Sequence, residues 1–151
     1  MNTLALKELE SFSETMTEEM AADFAKGIQP GTAVALYGDL GAGKTVFARG
    51  FARGLGITEI VSSPTFTLMQ EYKVAGRSRL RWFYHLDLYR IEDSKAAMVF
   101  GVDEYLSGPD SVLLIEWAER IEDMLPAGTM RVEISHAGGD RRKIRFTKIA
   151  G

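Results

Sequence analysis

At 151 residues, 46% apolar and 26% charged, the chain has the size and composition of one globular domain, long enough to bury about two-thirds of its unfolded surface unaided. It has no cysteine and two histidines, His85 and His136, which excludes disulfide frameworks, thiolate zinc sites, iron–sulfur clusters, a cysteine nucleophile and a three-histidine metal site. Its net charge of −3, from 18 basic and 21 acidic residues, argues against gripping nucleic acid by bulk charge.

The charge is unevenly spread. Residues 92–123 hold two basic and nine acidic side chains, whereas Lys73 to Arg90 carries five basic residues against Asp87, and Arg131 to Lys148 carries six against Glu133 and Asp140. Such runs are either solvated strand faces and hairpin tips or a docking surface for a partner or anionic ligand. Lys7, Glu8 and Glu10 interrupt the N-terminal apolar residues, so no secretory core forms there, and no apolar run approaches the ~20 residues that span a bilayer. The expected setting is cytoplasmic, away from membranes.

No repeat, low-complexity tract or linker divides the chain, so residues 1–151 are read as a single domain. Met16, Met20, Phe24 and Ile28 recur every four residues behind a Thr15/Glu18 capping-box pattern, which predicts a helix from about Thr15 to Lys26. Gly27 and Pro30-Gly31 stop it. Thr32 to Tyr37 is a short apolar run of the kind buried on both faces of a parallel sheet. After a glycine-rich turn, Phe47, Phe51 and Leu55 mark a helix of three turns ending near Gly54 and Gly56. Thr65 to Val74 and Leu80 to Ile91 read as a hairpin turning at residues 75–78. Ser94 to Phe100 reads as a short helix, Val112 to Trp117 as a second buried strand, and Ala118 to Leu125 as a short helix closed by Pro126. Arg131 to Ser135 and Arg142 to Ile149 form a last hairpin around Gly138-Gly139. Strand–helix units beside hairpins define an α/β fold: a mixed sheet flanked by helices.

The most informative stretch is Gly38-Asp39-Leu40-Gly41-Ala42-Gly43-Lys44-Thr45. Its glycines let the backbone curl so that successive N–H groups face phosphate oxygens, and the following helix adds its positive end. Lys44 is placed to reach the β and γ phosphates and the Thr45 hydroxyl to ligate magnesium. With this composition, chance produces the pattern on the order of one time in a hundred, and here it also follows a strand signal and opens a helix signal. Guanine-specific proteins of this class carry Asn-Lys-x-Asp, and the sole asparagine is Asn2, so ATP is the favoured nucleotide.

Hydrolysis also needs carboxylates that hold Mg²⁺ and orient water. Val112 to Ile115 runs straight into Glu116, and a buried strand normally stops before a charge, so Glu116 is read as facing a cleft; Asp87, in His85-Leu86-Asp87-Leu88-Tyr89-Arg90, is the second candidate. Asp87 reads alternatively as a salt-bridge partner of Arg90 or Arg81. Ser62-Ser63-Pro64-Thr65 reads equally as a loop sensing γ-phosphate and as an ordinary Ser/Pro turn. Trp117 packs either on a nucleotide or in the core, and His85 reads as a hydrogen-bonded structural residue.

Taken together, Gly38 to Thr45, Ser63-Pro-Thr-Phe-Thr-Leu68, Glu71-Tyr72, His85-Leu-Asp-Leu-Tyr-Arg90, Gly101-Val-Asp-Glu-Tyr-Leu106 and Ile115-Glu-Trp-Ala-Glu-Arg120 resemble, in order and spacing, the bacterial TsaE (YjeE) family. The resemblance implies a small P-loop ATPase that assists threonylcarbamoylation of the adenosine beside the anticodon of certain tRNAs, docking on a TsaD–TsaB pair that performs the transfer, with tRNA contacted indirectly. It implies phosphate and magnesium roles for Lys44 and Thr45, acidic roles for Asp87 and Glu116, a switch role for Thr65 and a nucleotide-side role for Trp117. It further implies a basic residue near the nucleotide, aligned with Arg142 or its neighbour Arg141, and an adenine side around Ser13 and Thr15. Slow turnover without the partner is expected, since no arginine is plainly aimed at the γ-phosphate. A small-metabolite kinase and a non-catalytic docking module that merely binds nucleotide are the rival readings.

Overall fold

The computed structural model describes residues 3–39, 41–59, 68–76 and 79–150. Among them, seven strands form one sheet: β1 (Thr3–Ser11), β2 (Ala33–Gly38), β3 (Met69–Lys73), β4 (Trp82–Asp87), β5 (Ser111–Glu116), β6 (Met130–His136) and β7 (Arg142–Ile149), in the order β1-β7-β6-β2-β5-β4-β3. The four central strands, β6-β2-β5-β4, run parallel, and antiparallel pairs β7–β1 and β4–β3 extend the sheet on either side. The mixed sheet with flanking helices read from the sequence is the observed fold.

β2 and β5 explain why two apolar runs lack alternation: each is covered on both faces. Val34, Leu36, Val112 and Leu114 face one core with helices α1 (Glu14–Lys26) and α2 (Lys44–Gly54), where Phe47 and Phe51 are fully buried. Ala33, Ala35, Leu113 and Ile115 face a second core with helix α3 (Ser94–Val99) and the 3₁₀ segments Val102–Glu104 and Ala118–Met124. Burying side chains of the Phe and Leu class contributes about 1.5–3 kcal/mol each, which makes these two layers the main source of stability.

Several local expectations are corrected. The N-cap of α1 is Ser13, extended at φ −158°, whose hydroxyl accepts from the Met16 N–H at 3.1 Å; the Thr15/Glu18 box is not used. The buried residues of α1 are Thr17, Ala21, Ala22 and Ala25, while Met16, Met20 and Phe24 are only half-buried. The helix is rotated because its small residues admit α2 at close range: a Cβ on Gly50 would lie 2.1 Å from Glu18 O, and one on Gly54 2.2 Å from Ala22 O. The short helix read at Ala118 to Leu125 is a 3₁₀ segment, Ala118–Met124, kinked at Ile121. The first hairpin strand starts at Met69, since Leu68 is left-handed at φ 67°, and β4 ends at Asp87, where the carboxylate accepts from the Tyr89 N–H at 2.9 Å and turns the chain. β1, which the sequence reading left unassigned, adds an antiparallel edge along β7.

Candidate functional site

The parallel strands deliver the predicted loop and acids to one end of the sheet. β2 runs into Gly38, which opposes Ile134 of β6; a Cβ at Gly38 would come within 2.9 Å of Ile134 O, so close strand packing demands glycine there. Gly41 at φ 79° and Gly43 at φ 107° take the left-handed conformation that glycine adopts without penalty. Ala42 N–H closes a turn on Asp39 O at 2.9 Å, and α2 begins at Lys44 with Gly43 as a cap lacking any side-chain hydrogen bond. The first-turn N–H groups of α2 therefore remain available to an anion at the helix's positive end.

Asp87 and Glu116 stand side by side in the parallel β4–β5 register, and Glu116 also pairs with Leu36 of β2, two residues before the loop. Both acids are buried, at 5% and 7% exposure. An apolar strand ending in a buried acid is costly unless the acid is hydrogen-bonded or faces a ligand. Glu116 Oε2 accepts from His85 Nε2 at 2.7 Å, and Asp87 Oδ1 holds the Tyr89 N–H. Both acids line a cleft of about 800 Å³ together with the loop, Lys44, Thr45 and Trp117. That volume is in the range that accommodates nucleotide-sized ligands.

Trp117 is left-handed at φ 60°, an uncommon conformation for a bulky residue, and it lines the cleft while packing, half-buried, against the second core. Lys44 Nζ lies 5.1 Å and the Arg120 guanidinium 5.3 Å from the ring centroid, and Tyr89 packs at 5.1 Å. Such cation–π contacts hold the lysine where phosphate oxygens would compete for it.

Arg142 sits behind the loop instead of lining the cleft. Its Nε donates to Ala42 O at 2.9 Å and a terminal nitrogen to Gly41 O at 3.3 Å, while the other terminal nitrogen donates to Gly139 O at 2.7 Å and Arg141 O at 2.9 Å. A loop that points N–H groups at an anion turns carbonyls the other way, and here an arginine from the last hairpin receives them. Ser13 and Thr15 do not line the cleft: Ser13 is committed to its helix cap and Thr15 is exposed, although Glu14 between them reaches the wall. Leu40 and Thr65 lie outside the described residues.

Sequence reasoning missed Glu14, Tyr89, Glu119 and the partner of His85. Tyr89 and Glu119 fall inside motifs already quoted, two and three residues past the strand-end acids, where a chain leaving a strand must pass the cleft mouth. Beside the loop, Tyr37 donates to Glu122 at 3.0 Å beneath the Arg131 guanidinium; burial above all pushes its phenol far above the usual value, so it stays a donor.

The lining is electrostatically one-sided: Glu14, Asp39, Asp87, Glu116 and Glu119 against Lys44. No group of three or more His, Asp or Glu side chains among the described residues is poised to hold a metal alone.

A buried strand, a glycine loop opening a helix, and acids at the ends of adjacent parallel strands define the phosphate-loop class of α/β proteins. The chain belongs to the TsaE family: the model described as "Threonylcarbamoyl adenosine biosynthesis protein TsaE" matches residues 11–144. It is 47% identical over 131 residues to the tRNA threonylcarbamoyladenosine biosynthesis protein TsaE of Bacillus subtilis, covering 87% of this chain and 77% of that one. The protein of the same description from Rickettsia bellii is 37% identical over 136 residues, covering 89% and 90%. The crystal structure of Bacillus subtilis YdiB superposes with a TM-score of 0.78 at 39% identity, over 99% of this chain and 87% of that one. Among the described residues no helix is long and apolar enough to cross a membrane.

Proposed function

We propose that this chain is a magnesium-dependent ATPase that serves tRNA threonylcarbamoyladenosine biosynthesis by acting on a TsaD–TsaB-type pair, with tRNA held by the partner. Family membership supports the pathway. The observation that supports the chemistry is the convergence of the Gly38–Thr45 loop with two buried carboxylates, Asp87 and Glu116, in one cleft.

The loop N–H groups and the α2 terminus cradle the phosphates, and Lys44 leaves the Trp117 face to neutralise β and γ oxygens. Thr45, Glu116 and Asp87 would hold magnesium, which when bound with the nucleotide neutralises phosphate charge. Glu116 and Asp87 also accept hydrogen bonds from water entering beside the γ position. Five carboxylates around one lysine repel a bare triphosphate, so ATP affinity is expected to collapse when magnesium is chelated.

The decisive experiment measures phosphate release from ATP with and without the TsaD–TsaB pair. Slow release alone, accelerated by the pair and abolished in Glu116→Gln with ATP binding retained, is the expected outcome. A phosphorylated metabolite in place of free phosphate establishes the kinase, and absence of hydrolysis even with the pair establishes the docking module.

A further inference from the structure

His85 is 2% exposed, lies on β4 two residues before Asp87, and has no part in the chemistry described so far. Its ring stacks on Phe83 at 6.1 Å with planes 16° apart, fixing its orientation. The Nε2 edge meets Glu116 Oε2 at 2.7 Å, and Nδ1 is buried without a hydrogen-bond partner among the described residues. For stability alone this is a poor use of a core position: an apolar ring would fill the same space without an unpaired nitrogen. Among the described residues, the one polar contact the imidazole makes is to the carboxylate at the cleft.

We infer that His85 is a positioning residue: it binds one oxygen of Glu116 and so fixes the plane of that carboxylate, presenting the other oxygen to the cleft. The geometry follows from the sheet. His85 pairs with Leu114 in the β4–β5 register, one pair before Leu86–Ile115 and two before Asp87–Glu116, so its ring lies on the same sheet face as the acids two residues on. A carboxylate held at one oxygen has lost the rotation that would let it swing out of register with Thr45 and the loop. Residues that orient a ligating group in this way typically change metal affinity or activity by about 10–100-fold when removed.

This inference rests on the proposed ATPase reading, in which Glu116 acts on magnesium and water. The test is a double-mutant cycle in the full chain with His85→Phe, His85→Gln, Glu116→Gln and the two double variants. The variants that keep Glu116 are read by the hydrolysis rate with the TsaD–TsaB pair, and all of them, Glu116→Gln background included, by the ratio of ATP affinities with and without magnesium, which closes the cycle. His85→Phe keeps the ring and removes the donor; it is expected to lower the rate about tenfold and to shrink the magnesium ratio, with ATP affinity in EDTA unchanged. His85→Gln keeps an N–H and is expected to recover most of the loss, and in the Glu116→Gln background neither substitution should matter further. Equal losses with and without the Glu116 carboxylate, or a His85→Phe protein with normal rate and magnesium ratio, overturn the positioning role while leaving the ATPase reading intact. An unaltered chain that neither binds magnesium–ATP nor hydrolyses it overturns both.

Discussion

Arg142 shows how a residue can serve a binding loop without facing its ligand. Its guanidinium spreads over carbonyls of Gly41 and Ala42 on one side and of Gly139 and Arg141 on the other. Arginine suits this task because its planar fork meets several acceptors at fixed angles, which a lysine ammonium cannot. Removing it leaves loop carbonyls unpaired and frees the peptide planes that aim N–H groups at phosphate. Arg142→Ala is therefore expected to weaken ATP binding by about 1.5–3 kcal/mol, roughly ten- to a hundredfold. Calorimetric titration with ATP and magnesium measures this; Arg142→Lys should not restore affinity, and free guanidinium ion should restore part of it in the alanine variant. An unchanged dissociation constant in Arg142→Ala would show that the loop holds its shape without help.

The α1–α2 pair combines aromatic packing, Phe24 against Phe47 and Phe51 at 6.3 and 6.0 Å, with a close backbone approach. Gly50 and Gly54 lie one turn apart on α2 and let its backbone touch α1 at Glu18 and Ala22, while Arg53 secures the seam by an ion pair to Glu18 at 2.8 Å. Gly50→Ala sets two effects against each other: alanine favours helix by about 1 kcal/mol, but its Cβ has a backbone oxygen 2.1 Å away. Against a backbone atom this close the overpacking falls at the upper end of about 1–3 kcal/mol, leaving a net loss of about 2 kcal/mol, and thermal unfolding should register a clear fall in Tm; a Tm at or above that of the unaltered chain refutes the close contact. This packing also explains what the sequence concealed. The four-residue spacing of Met16, Met20, Phe24 and Ile28 shows only part of the buried face of α1: Met20 and Phe24 pack half-buried on the core and Ile28 is buried, but the closest approach to α2 is written in alanines and glycines, which hydropathy barely weights. β1 was hidden for another reason: a bulge between Ala5 and Lys7 breaks its alternation, leaving Leu4 and Leu6 exposed while Leu9 packs on the core. β2, α2, β5 and the hairpins were legible, since there periodicity, glycine placement and burial agree. The site was legible in its loop and two acids because strand-end acids and glycine spacing are local signals; Glu116's tie to His85 and the position of Arg142 depend on register between strands distant in sequence.

Across the whole molecule, four of the six cations in the Arg131 to Lys148 run meet neighbouring groups. Arg131 faces Glu122 and Glu133, Arg141 pairs with Glu10, Lys143 with Glu8, and Arg142 with the loop. With a net charge of −3 as well, the isolated chain is expected to bind tRNA no better than about 10⁻⁴ M at physiological salt, the weak end of non-specific association. Filter binding across a salt series tests this: tight binding whose logarithmic slope is steeper than about −3 would mean that several of these cations contact phosphate directly. The sheet order carries a consequence for synthesis. The central strand β2 is flanked by β5 and β6, and the carbonyls of the loop that follows β2 are closed by a residue 100 positions later. On a ribosome adding roughly 5–20 residues per second, the nascent polypeptide holds an unfinished cradle for about 5–20 s. The nucleotide proposed above is therefore expected to reach its full stabilising effect only once translation has passed Arg142.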